Sequence, residues 1–322
     1  MWAIQIHEQG GPEVLTWTEL PDPTAGLGEI VVEVAGAGLN YIDTYHRTGL
    51  YPVELPLVPG LEGAGTVTQV GPGVTTLSVG DQVAWATNPG SYAGQVAMRA
   101  DHAVKVPDEI DLEVAAALPL QGMTAHFLAT STYPLGPGDR CLVHAGAGGV
   151  GLLLIQIAKL YGAEVFTTVG TPEKAELAKT AGADHTILYR EVDFAEALID
   201  IAGERPLDVV FDGVGQSVFA KSLTLLRQRG MMVTFGNASG PVDPVSPLEL
   251  SANGSLFLTR PTLFHYLRTH SEMQSRADDL FGWVSAGELD VRIGARYALR
   301  DAAEAHRALE GRTTSGKVLL VP

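Results

Sequence analysis

The chain has 322 residues, 46% of them hydrophobic and 18% charged, a composition typical of a folded protein with two domains rather than of a disordered chain. Its formal net charge of −16 disfavours nucleic-acid binding, because phosphates would be repelled. No apolar run is long enough to span a membrane, and no secretory signal is visible. We therefore expect a cytoplasmic protein that acts on a small molecule and binds neither nucleic acid nor membrane.

The first part of the chain, to about residue 118, alternates short apolar runs with glycine and proline clusters. This pattern predicts a β-rich domain with a barrel-like or partly open sheet. Its predicted strands include residues 29–34, 65–70, 82–85 and 103–106. A polar segment with three tyrosines, residues 40–52, interrupts them; we expect a helical turn and loop, a kind of segment that often holds substrate.

The pattern becomes helical at residues 112–118, where Pro119 ends the helix and a second helical run covers residues 124–129. Strands and helices then alternate from residue 140 to residue 235, and a further strand covers residues 254–260. This alternation is typical of a doubly wound parallel sheet, in which a cofactor lies over the carboxyl ends of the strands.

The remaining residues are expected to return to the first domain and complete it. They predict helices at 263–270, 272–286 and 302–310, and strands at 291–299 and 317–321. The predicted fold class is therefore α/β. A Rossmann domain, residues 119–260, is inserted into a β-rich domain formed by residues 1–118 and 261–322.

A glycine cluster lies between the predicted strand 140–144 and the predicted helix 149–161. Gly146, Gly148 and Gly151 fit the pattern G-x-G-x-x-G, which provides a tight turn, close approach to a pyrophosphate and close helix packing. The helix that follows offers N–H groups and a positive dipole end to phosphates. We interpret the cluster as a dinucleotide-binding loop; a purely structural turn is the alternative.

The end of the next strand predicts which dinucleotide binds. Proteins selective for the unphosphorylated cofactor carry Asp or Glu about twenty residues past the glycines. Here the strand ends at Gly170, and Lys174 lies in the first turn of the following helix, where a cation is unfavourable unless an anion is near. A 2′-phosphate would be that anion, and Tyr189 and Arg190 could reach it. The alternative is a solvated lysine.

The sequence does not contain the usual ligands of a zinc site. Cys141 is the only cysteine and lies within an apolar strand, where we expect a buried, inert thiol. The histidines are scattered singly, and we interpret His144, beside the glycine loop, as a packed strand residue. We therefore expect no metal.

Taken together, these segments resemble the zinc-free quinone oxidoreductases, the zeta-crystallin-like branch of the medium-chain dehydrogenase/reductase superfamily. The resemblance covers essentially the whole chain. It rests on Asn40-x-Ile42-Asp43-Thr44-Tyr45-x-x-x-Gly49-Leu50-Tyr51-Pro52, Pro59-Gly60-x-Glu62-x-x-Gly65-x-Val67, the loop at residues 145–151, Gly170-Thr171-x-x-Lys174, Phe235-Gly236-Asn237-x-Ser239-Gly240 and Thr259-Arg260-Pro261.

The resemblance implies a GroES-like catalytic domain, an inserted Rossmann domain, NADPH as hydride donor and quinones as acceptors. Where the zinc-dependent relatives carry a ligand cysteine this chain has Asn40, and where they carry a ligand histidine it has Leu61. Oxidation of a zinc alkoxide is therefore not expected.

The resemblance also implies roles for individual residues. Tyr45 and Tyr51 would flank the substrate, Asn40 would lie near the nicotinamide, and Arg260 would complete the catalytic set. Positioning is the expected role of the tyrosines, because an ordinary tyrosine is a weak acid at neutral pH. The implied cofactor-binding residues are Tyr41, Ile42, Asp43, Thr124, Gly146, Gly148, Gly149, Val150, Gly151, Gly170, Lys174, Tyr189, Val214, Asn237, Arg260 and Arg312.

Three functions remain open at this point: NADPH-dependent reduction of quinones, NADPH-dependent reduction of activated carbon–carbon double bonds, and non-catalytic NADPH binding in a structural or RNA-binding protein. The acidic charge disfavours RNA binding. We also expect a homodimer, because the apolar strand at 254–260 comes late in the sheet and relatives pair through it.

Overall fold

The structure is a computed structural model that describes all 322 residues. Its strands are β1 (Trp2–Gln5), β2 (Thr16–Glu19), β3 (Glu29–Leu39), β4 (Gly63–Val70), β5 (Gln82–Trp85), β6 (Gln95–Arg99), β7 (Val104–Lys105), β8 (Arg140–His144), β9 (Glu164–Val169), β10 (His185–Leu188), β11 (Leu207–Asp212), β12 (Leu226–Thr234), β13 (Phe257–Thr259), β14 (Ile293–Ala298) and β15 (Lys317–Val321). Its helices are α1 (Tyr41–Thr48), α2 (Leu112–Ala117), α3 (Pro119–Phe127), α4 (Gly149–Leu160), α5 (Pro172–Thr180), α6 (Phe194–Ala202), α7 (Phe219–Leu225), α8 (Pro247–Ala252), α9 (His270–Ser285) and α10 (Ala302–Glu310).

The chain divides into two units. The first unit comprises Met1–Met123, Leu267–Gly287 and Val291–Pro322, and the second comprises Thr124–Tyr266 and Glu288–Asp290. The domain boundaries predicted from the sequence, after residues 118 and 260, lie a few residues before the positions at which the units change.

The first unit is built on a sheet with the strand order β14-β15-β3-β4-β5-β7, and β6 also pairs with β3. Most neighbours are antiparallel; β14 and β15 are parallel. The long β3 buries residues on both faces, which explains its nearly continuous apolar sequence. The core of this unit includes Ile4, Ile30, Val32, Val67, Trp85, Tyr92, Leu299 and Leu320.

The second unit contains a parallel sheet with the strand order β10-β9-β8-β11-β12-β13. The order reverses between β8 and β11, which is the strand order of the Rossmann fold. The predicted doubly wound sheet is therefore confirmed. Strands buried on both faces need apolar side chains throughout, as in Cys141–Val143 of β8. The core of the second unit includes Leu142, Phe166, Leu198, Val210, Leu223 and Met232.

The structure differs from the sequence prediction in several elements. Helix α3 begins at Pro119 instead of residue 124, because a proline is tolerated at the first position of a helix, where its missing N–H has no acceptor. The helix predicted at 263–270 is reduced to the single turn Leu263–His265. Thr269 and Glu272 form a reciprocal capping box that starts α9 at His270. Strand β13 covers only three residues of the predicted segment 254–260.

None of the ten helices combines the length and apolar character that a membrane crossing requires.

Candidate active-site residues

The glycine loop in the second unit joins β8 to α4. A Cβ atom on Gly146 would lie 1.9 Å from Thr167 Oγ1, and one on Gly151 would lie 2.8 Å from the Cα of Gly146. Both positions therefore require glycine for close packing. The sequence pattern assigned the tight turn to the first glycine, Gly146. In the structure the left-handed residue of the turn is instead the residue before it, Ala145, with φ of 56°.

The loop presents an anion-binding end of α4. Gly148 is the N-cap residue and offers no side chain to the helix, whose first turn contains no acidic residue. The first N–H groups of a helix have no acceptor within it and carry the positive end of the dipole. Gly148, Gly149 and Val150 are partly exposed. These features fit the pyrophosphate of a dinucleotide.

The tip of β9 lies next to the residues that follow β10. A Cβ atom on Gly170 would lie 3.0 Å from the Tyr189 hydroxyl and 3.2 Å from Arg190 Nε. Thr171 caps α5 by accepting a hydrogen bond from the backbone N–H of Lys174 at 3.3 Å, which places that lysine in the first turn. A hydroxyl and a guanidinium therefore meet a carboxylate-free strand end, an arrangement that suits a phosphate.

The carboxyl ends of β11, β12 and β13 hold a second polar group of residues. Asp212 Oδ1 accepts hydrogen bonds from the N–H groups of Val214 at 2.7 Å and Gly215 at 2.9 Å. Burial raises the pKa of Asp212 to about 6. With its amide oriented to satisfy both neighbours, Asn237 accepts a hydrogen bond from Arg260 at 3.1 Å and donates one to the Gly236 carbonyl at 3.0 Å.

The predicted cofactor residues of the second unit therefore share one edge of its sheet. They follow β8, β9, β10, β11, β12 and β13, and in a parallel sheet the carboxyl ends of all strands lie at the same edge. Thr124, in α3, is the exception and is 8% exposed.

In the first unit, Asn40 is buried and its carboxamide is fully hydrogen-bonded. The amide nitrogen donates to Glu62 Oε2 at 2.8 Å and to the Gly38 carbonyl at 3.1 Å. The amide oxygen accepts from Gln121 Nε2 at 2.9 Å and from Lys317 Nζ at 3.1 Å. A carboxamide has two donor hydrogens and two acceptor lone pairs, so this side chain has no capacity left for a ligand.

The tyrosines predicted to flank the substrate lie on α1 and just after it. Tyr45 and Tyr51 meet edge to face with ring centroids 5.2 Å apart, and Tyr41 and Tyr45 are 6.3 Å apart. The Tyr41 hydroxyl donates to the Leu309 carbonyl at 3.1 Å, and the N–H of Arg312 bonds to the same carbonyl at 3.0 Å. The structure therefore brings Arg312 to the residues of α1.

Sequence reasoning missed the charged residues buried beneath Asn40. Glu62 and Lys317 form an ion pair there, with side chains 0% and 2% exposed. Glu62 was noted only as part of a motif, and the lysine at the start of an apolar strand gave no signal of burial. Asp43, Tyr92, Arg47 and His306 form a second buried group nearby, described below.

Two other sequence predictions are confirmed. Cys141 is buried, and burial raises the pKa of its thiol. His144 is a packed strand residue: its ring nitrogens lie 2.9 Å from Thr168 Oγ1 and 2.9 Å from Ser222 Oγ. The structure contains no group of three or more His, Cys, Asp or Glu side chains that could hold a metal ion.

A six-stranded parallel sheet with a glycine loop after its first strand defines an α/β protein of the dinucleotide-binding class. Residues 26–108 match the alcohol dehydrogenase GroES-like domain, and residues 149–283 match the zinc-binding dehydrogenase family. The chain is 44% identical over 321 residues to a quinone oxidoreductase of Pseudomonas aeruginosa, with 99% of both chains covered. It is 42% identical over 328 residues to a 2-haloacrylate reductase of a Burkholderia species, covering 99% of this chain and 98% of the relative.

A solved structure of an Escherichia coli quinone oxidoreductase in complex with NADPH superposes with a TM-score of 0.98 at 42% identity, and all of both chains is covered. The chain belongs to the quinone oxidoreductase family of the medium-chain dehydrogenase/reductase superfamily. The family, the fold class and the oxidoreductase class predicted from the sequence are confirmed.

Proposed function

We propose that this protein is an NADPH-dependent quinone oxidoreductase that works without a metal ion. The observation that carries the proposal is the dinucleotide-binding edge of the second unit, in a chain that shares its full length with quinone oxidoreductases. That edge combines the glycine loop with a β9 tip that has no carboxylate and lies beside Tyr189 and Arg190.

The cofactor residues have separate roles in this proposal. The N–H groups of Gly149, Val150 and Gly151 bind the pyrophosphate, with Gly148 allowing its approach and Gly146 packing against Thr167. Lys174 and Tyr189 bind the 2′-phosphate, for which Gly170 leaves room. Val214, Asn237 and Arg260 hold the nicotinamide half, and Tyr41, Ile42, Thr124 and Arg312 complete the set. Asp43 was also predicted to bind the cofactor, but its side chain is fully buried and it is assigned another role below.

When bound, NADPH supplies a hydride from nicotinamide C4. Reduction is balanced by one proton: quinone, NADPH and H⁺ give hydroquinone and NADP⁺. Tyr45 and Tyr51 orient the quinone through their hydroxyls and ring edges, and Arg260 provides positive charge for the oxyanion that develops. Asn40 acts indirectly, because its carboxamide is already used within the protein.

Reduction of an activated carbon–carbon double bond is the second candidate. It is favoured by the 42% identity to a 2-haloacrylate reductase over nearly the full chain. The same hydride donor would serve, and the acceptor carbon would be the β-carbon of an unsaturated acid, aldehyde or ketone.

One assay separates these functions. Oxidation of NADPH is followed with a naphthoquinone, with an alkenal, with 2-chloroacrylate and without acceptor. The proposal expects turnover that is fastest with the quinone and survives treatment with a chelator. Faster turnover with an alkenal or 2-chloroacrylate would support the second candidate, and NADPH binding without turnover would indicate a binding protein. Loss of activity on removal of stoichiometric zinc would contradict the metal-free mechanism.

The protein is further proposed to be a cytoplasmic homodimer. Strand β13 is the last in the sheet order of the second unit and pairs with β12. Its Phe257 is 58% exposed. An outer strand with an exposed aromatic side chain is suited to pairing with the same strand of a second copy around a two-fold axis.

A further inference from the structure

Helix α1 has two faces of different character. Asp43 and Arg47, four residues apart, share one face and are 0% and 1% exposed. Tyr41 and Tyr45, also four residues apart, share the other face, and Tyr51 packs against Tyr45 after the helix has ended. The polar face is fully buried and anchors the helix, whereas on the tyrosine face Tyr41 is partly exposed and Tyr45 is 8% exposed.

The polar face is held by a directional chain of hydrogen bonds. Arg47 lies 3.1 Å from His306 Nδ1, and because a guanidinium can only donate, the hydrogen of this imidazole is on Nε2. Nε2 lies 3.3 Å from the Tyr92 oxygen and donates to it. The Tyr92 hydroxyl is then left to donate to Asp43 Oδ2, at 3.0 Å.

Both ends of this chain are tied to other parts of the first unit. Asp43 Oδ2 also accepts the backbone N–H of Asn40 at 2.8 Å, at the start of α1. Arg47 donates to both carboxylate oxygens of Glu310, at 2.7 and 3.1 Å, and to the Gly10 carbonyl at 3.1 Å. The start and the last turn of the helix are therefore fixed at separate points.

The buried carboxyl of Asp43 is costly to the fold. Its Oδ1 atom is buried without a hydrogen bond. The pKa of Asp43 is raised to about 7, mainly by burial and to a smaller extent by Glu62, against the lowering effects of Asn40, Tyr92 and Lys317. A carboxyl whose pKa is higher in the folded state destabilises that state once it ionises. Residues that oppose stability in this way are concentrated at functional sites.

We propose that Asp43, acting through Tyr92 and His306, is a positioning residue that fixes α1 so that Tyr45 and Tyr51 are held for the quinone. This inference rests on the proposed function and assigns Asp43 a different role from the cofactor contact expected from the sequence, since its carboxyl has no exposed surface. Because ionisation of the buried carboxyl disfavours the folded arrangement, α1 is held most firmly below pH 7, where Asp43 is protonated.

The test compares Asp43→Asn and Tyr92→Phe with the unaltered protein. Tyr133→Phe is the matched control, because Tyr133 also donates to a carboxylate, Asp139, at 3.3 Å, but in the second unit. We expect Tyr92→Phe to raise the KM for the quinone roughly threefold to tenfold, the size of effect that a lost hydrogen bond produces, with kcat and the Kd for NADPH unchanged. Asp43→Asn, whose amide oxygen can accept the same two hydrogen bonds, should keep the low KM of the protonated state at every pH. The control should change none of these.

The pH dependence of the KM for the quinone provides a second measurement, which a purely structural role of Asp43 would not change. In the unaltered protein the KM for the quinone should rise as the pH rises through about 7, the pKa of Asp43, because the ionised carboxylate disfavours its buried position. Asp43→Asn should abolish that dependence. The other titratable groups that face this carboxyl or its partner Tyr92 are Glu62, Lys317, Tyr92 and His306. Tyr92→Phe retains the Asp43 carboxyl, so the KM of this variant should still change with pH.

Hydrogen exchange of the α1 amides provides a measurement that does not depend on any substrate. Residues 41–48 should exchange at least roughly threefold faster in Tyr92→Phe, and residues 172–180 of α5 should not change, since α1 loses a hydrogen bond and α5 does not. Faster exchange of α1 with no quinone turnover in any protein would refute the proposed function alone. The positioning role would be overturned if α1 exchanged at the same rate in Tyr92→Phe and the pH dependence of the KM were the same in Asp43→Asn as in the unaltered protein. A parallel loss of kcat, quinone binding and NADPH binding in the variants would also overturn it.

Discussion

Glu62 and Lys317, 255 residues apart in the chain, form an ion pair in the interior of the first unit. The second oxygen of Glu62 accepts the N–H of Leu120 at 2.7 Å, and Lys317 also donates to Asn40. Burial lowers the pKa of Lys317, and the neighbouring Glu62 opposes that effect. Each charge is therefore tolerated only because the other is present.

Lys317→Met should lower the free energy of unfolding by about 3–5 kcal/mol, because it leaves the buried Glu62 without a counter-charge. Urea denaturation measures the effect. The double variant Glu62→Gln, Lys317→Met should recover part of the loss. Lys179→Met, which removes an exposed partner of Glu176, is the control and should change stability little. Equal losses of stability in Lys317→Met and Lys179→Met would show that burial of the ion pair does not determine its contribution.

Lys174→Ala should raise the KM for NADPH roughly tenfold to hundredfold, as expected for one charge-assisted hydrogen bond of about 1.5–3 kcal/mol. NADH kinetics should hardly change, since NADH lacks the 2′-phosphate. Steady-state kinetics of Lys174→Ala and the unaltered protein with NADPH and with NADH measure the effect. Lys179→Ala, in the last turn of the same helix, is the matched control. Equal losses for both cofactors would show that Lys174 supports the fold, and efficient use of NADH by the unaltered protein would reject the specificity argument.

Gly170→Asp should weaken the preference for NADPH over NADH. The Cβ of the new side chain would lie 3.0 Å from the Tyr189 hydroxyl and 3.2 Å from Arg190 Nε. Its carboxylate would repel a phosphate and could accept a ribose hydroxyl. The ratio of kcat/KM for NADPH and NADH should fall by roughly tenfold or more, since one lost or repulsive charge contact exceeds about 1.4 kcal/mol. Gly170→Ala adds the same Cβ without charge and should have a smaller effect; an equal effect would indicate crowding alone.

Acid should destabilise the protein through His144. Burial lowers the pKa of this histidine to about 3, below its ordinary value of 6.5, so the folded state keeps it neutral. Below pH 6.5 the unfolded chain binds the proton and the folded chain does not, so stability falls by about 1.4 kcal/mol per pH unit down to about pH 3. His144→Gln should lose stability less steeply between pH 6.5 and pH 4.5 in urea denaturation. An unchanged slope would show that His144 is protonated in the folded state.

Phe257→Glu should convert the proposed dimer into a monomer. Phe257 lies on β13 and is 58% exposed. In the proposed dimer the interface would cover this position on both copies, so the substitution would bury an unpaired negative charge on each. Light scattering at micromolar concentration measures the mass. Leu27→Glu, at an 80% exposed position of the first unit, is the control. A monomeric unaltered protein would already contradict the assembly.

The sequence predicted the features that depend on local pattern. The glycines at 146, 148 and 151 follow an apolar strand and precede an apolar helix, and the alternation of such segments indicated the parallel sheet. The same reasoning placed Gly170 at the end of β9 and brought Tyr189 and Arg190 to it, because parallel strands end at one edge.

The interior of the first unit could not be predicted in this way. Its polar chain joins Arg47 to His306 across 259 residues and Tyr92 to His306 across 214. No local period reports such a contact, and charged side chains are expected on the surface unless a partner is known. Asn40 was expected from the resemblance to lie near the nicotinamide, and nothing in the sequence indicated the four internal partners of its carboxamide.

Strand β15 has a consequence for the order of events during synthesis. The sheet of the first unit needs β3 to pair with β15, and Glu62 obtains its cation only from that strand. The second unit is built almost entirely from the continuous segment Thr124–Tyr266. On a ribosome the second unit can therefore fold while translation continues, whereas the first must wait for residues 317–321 to emerge. Until then the edge of β3 is exposed and Glu62 stays hydrated, so nascent chains that stall before residue 317 should be substrates for chaperones.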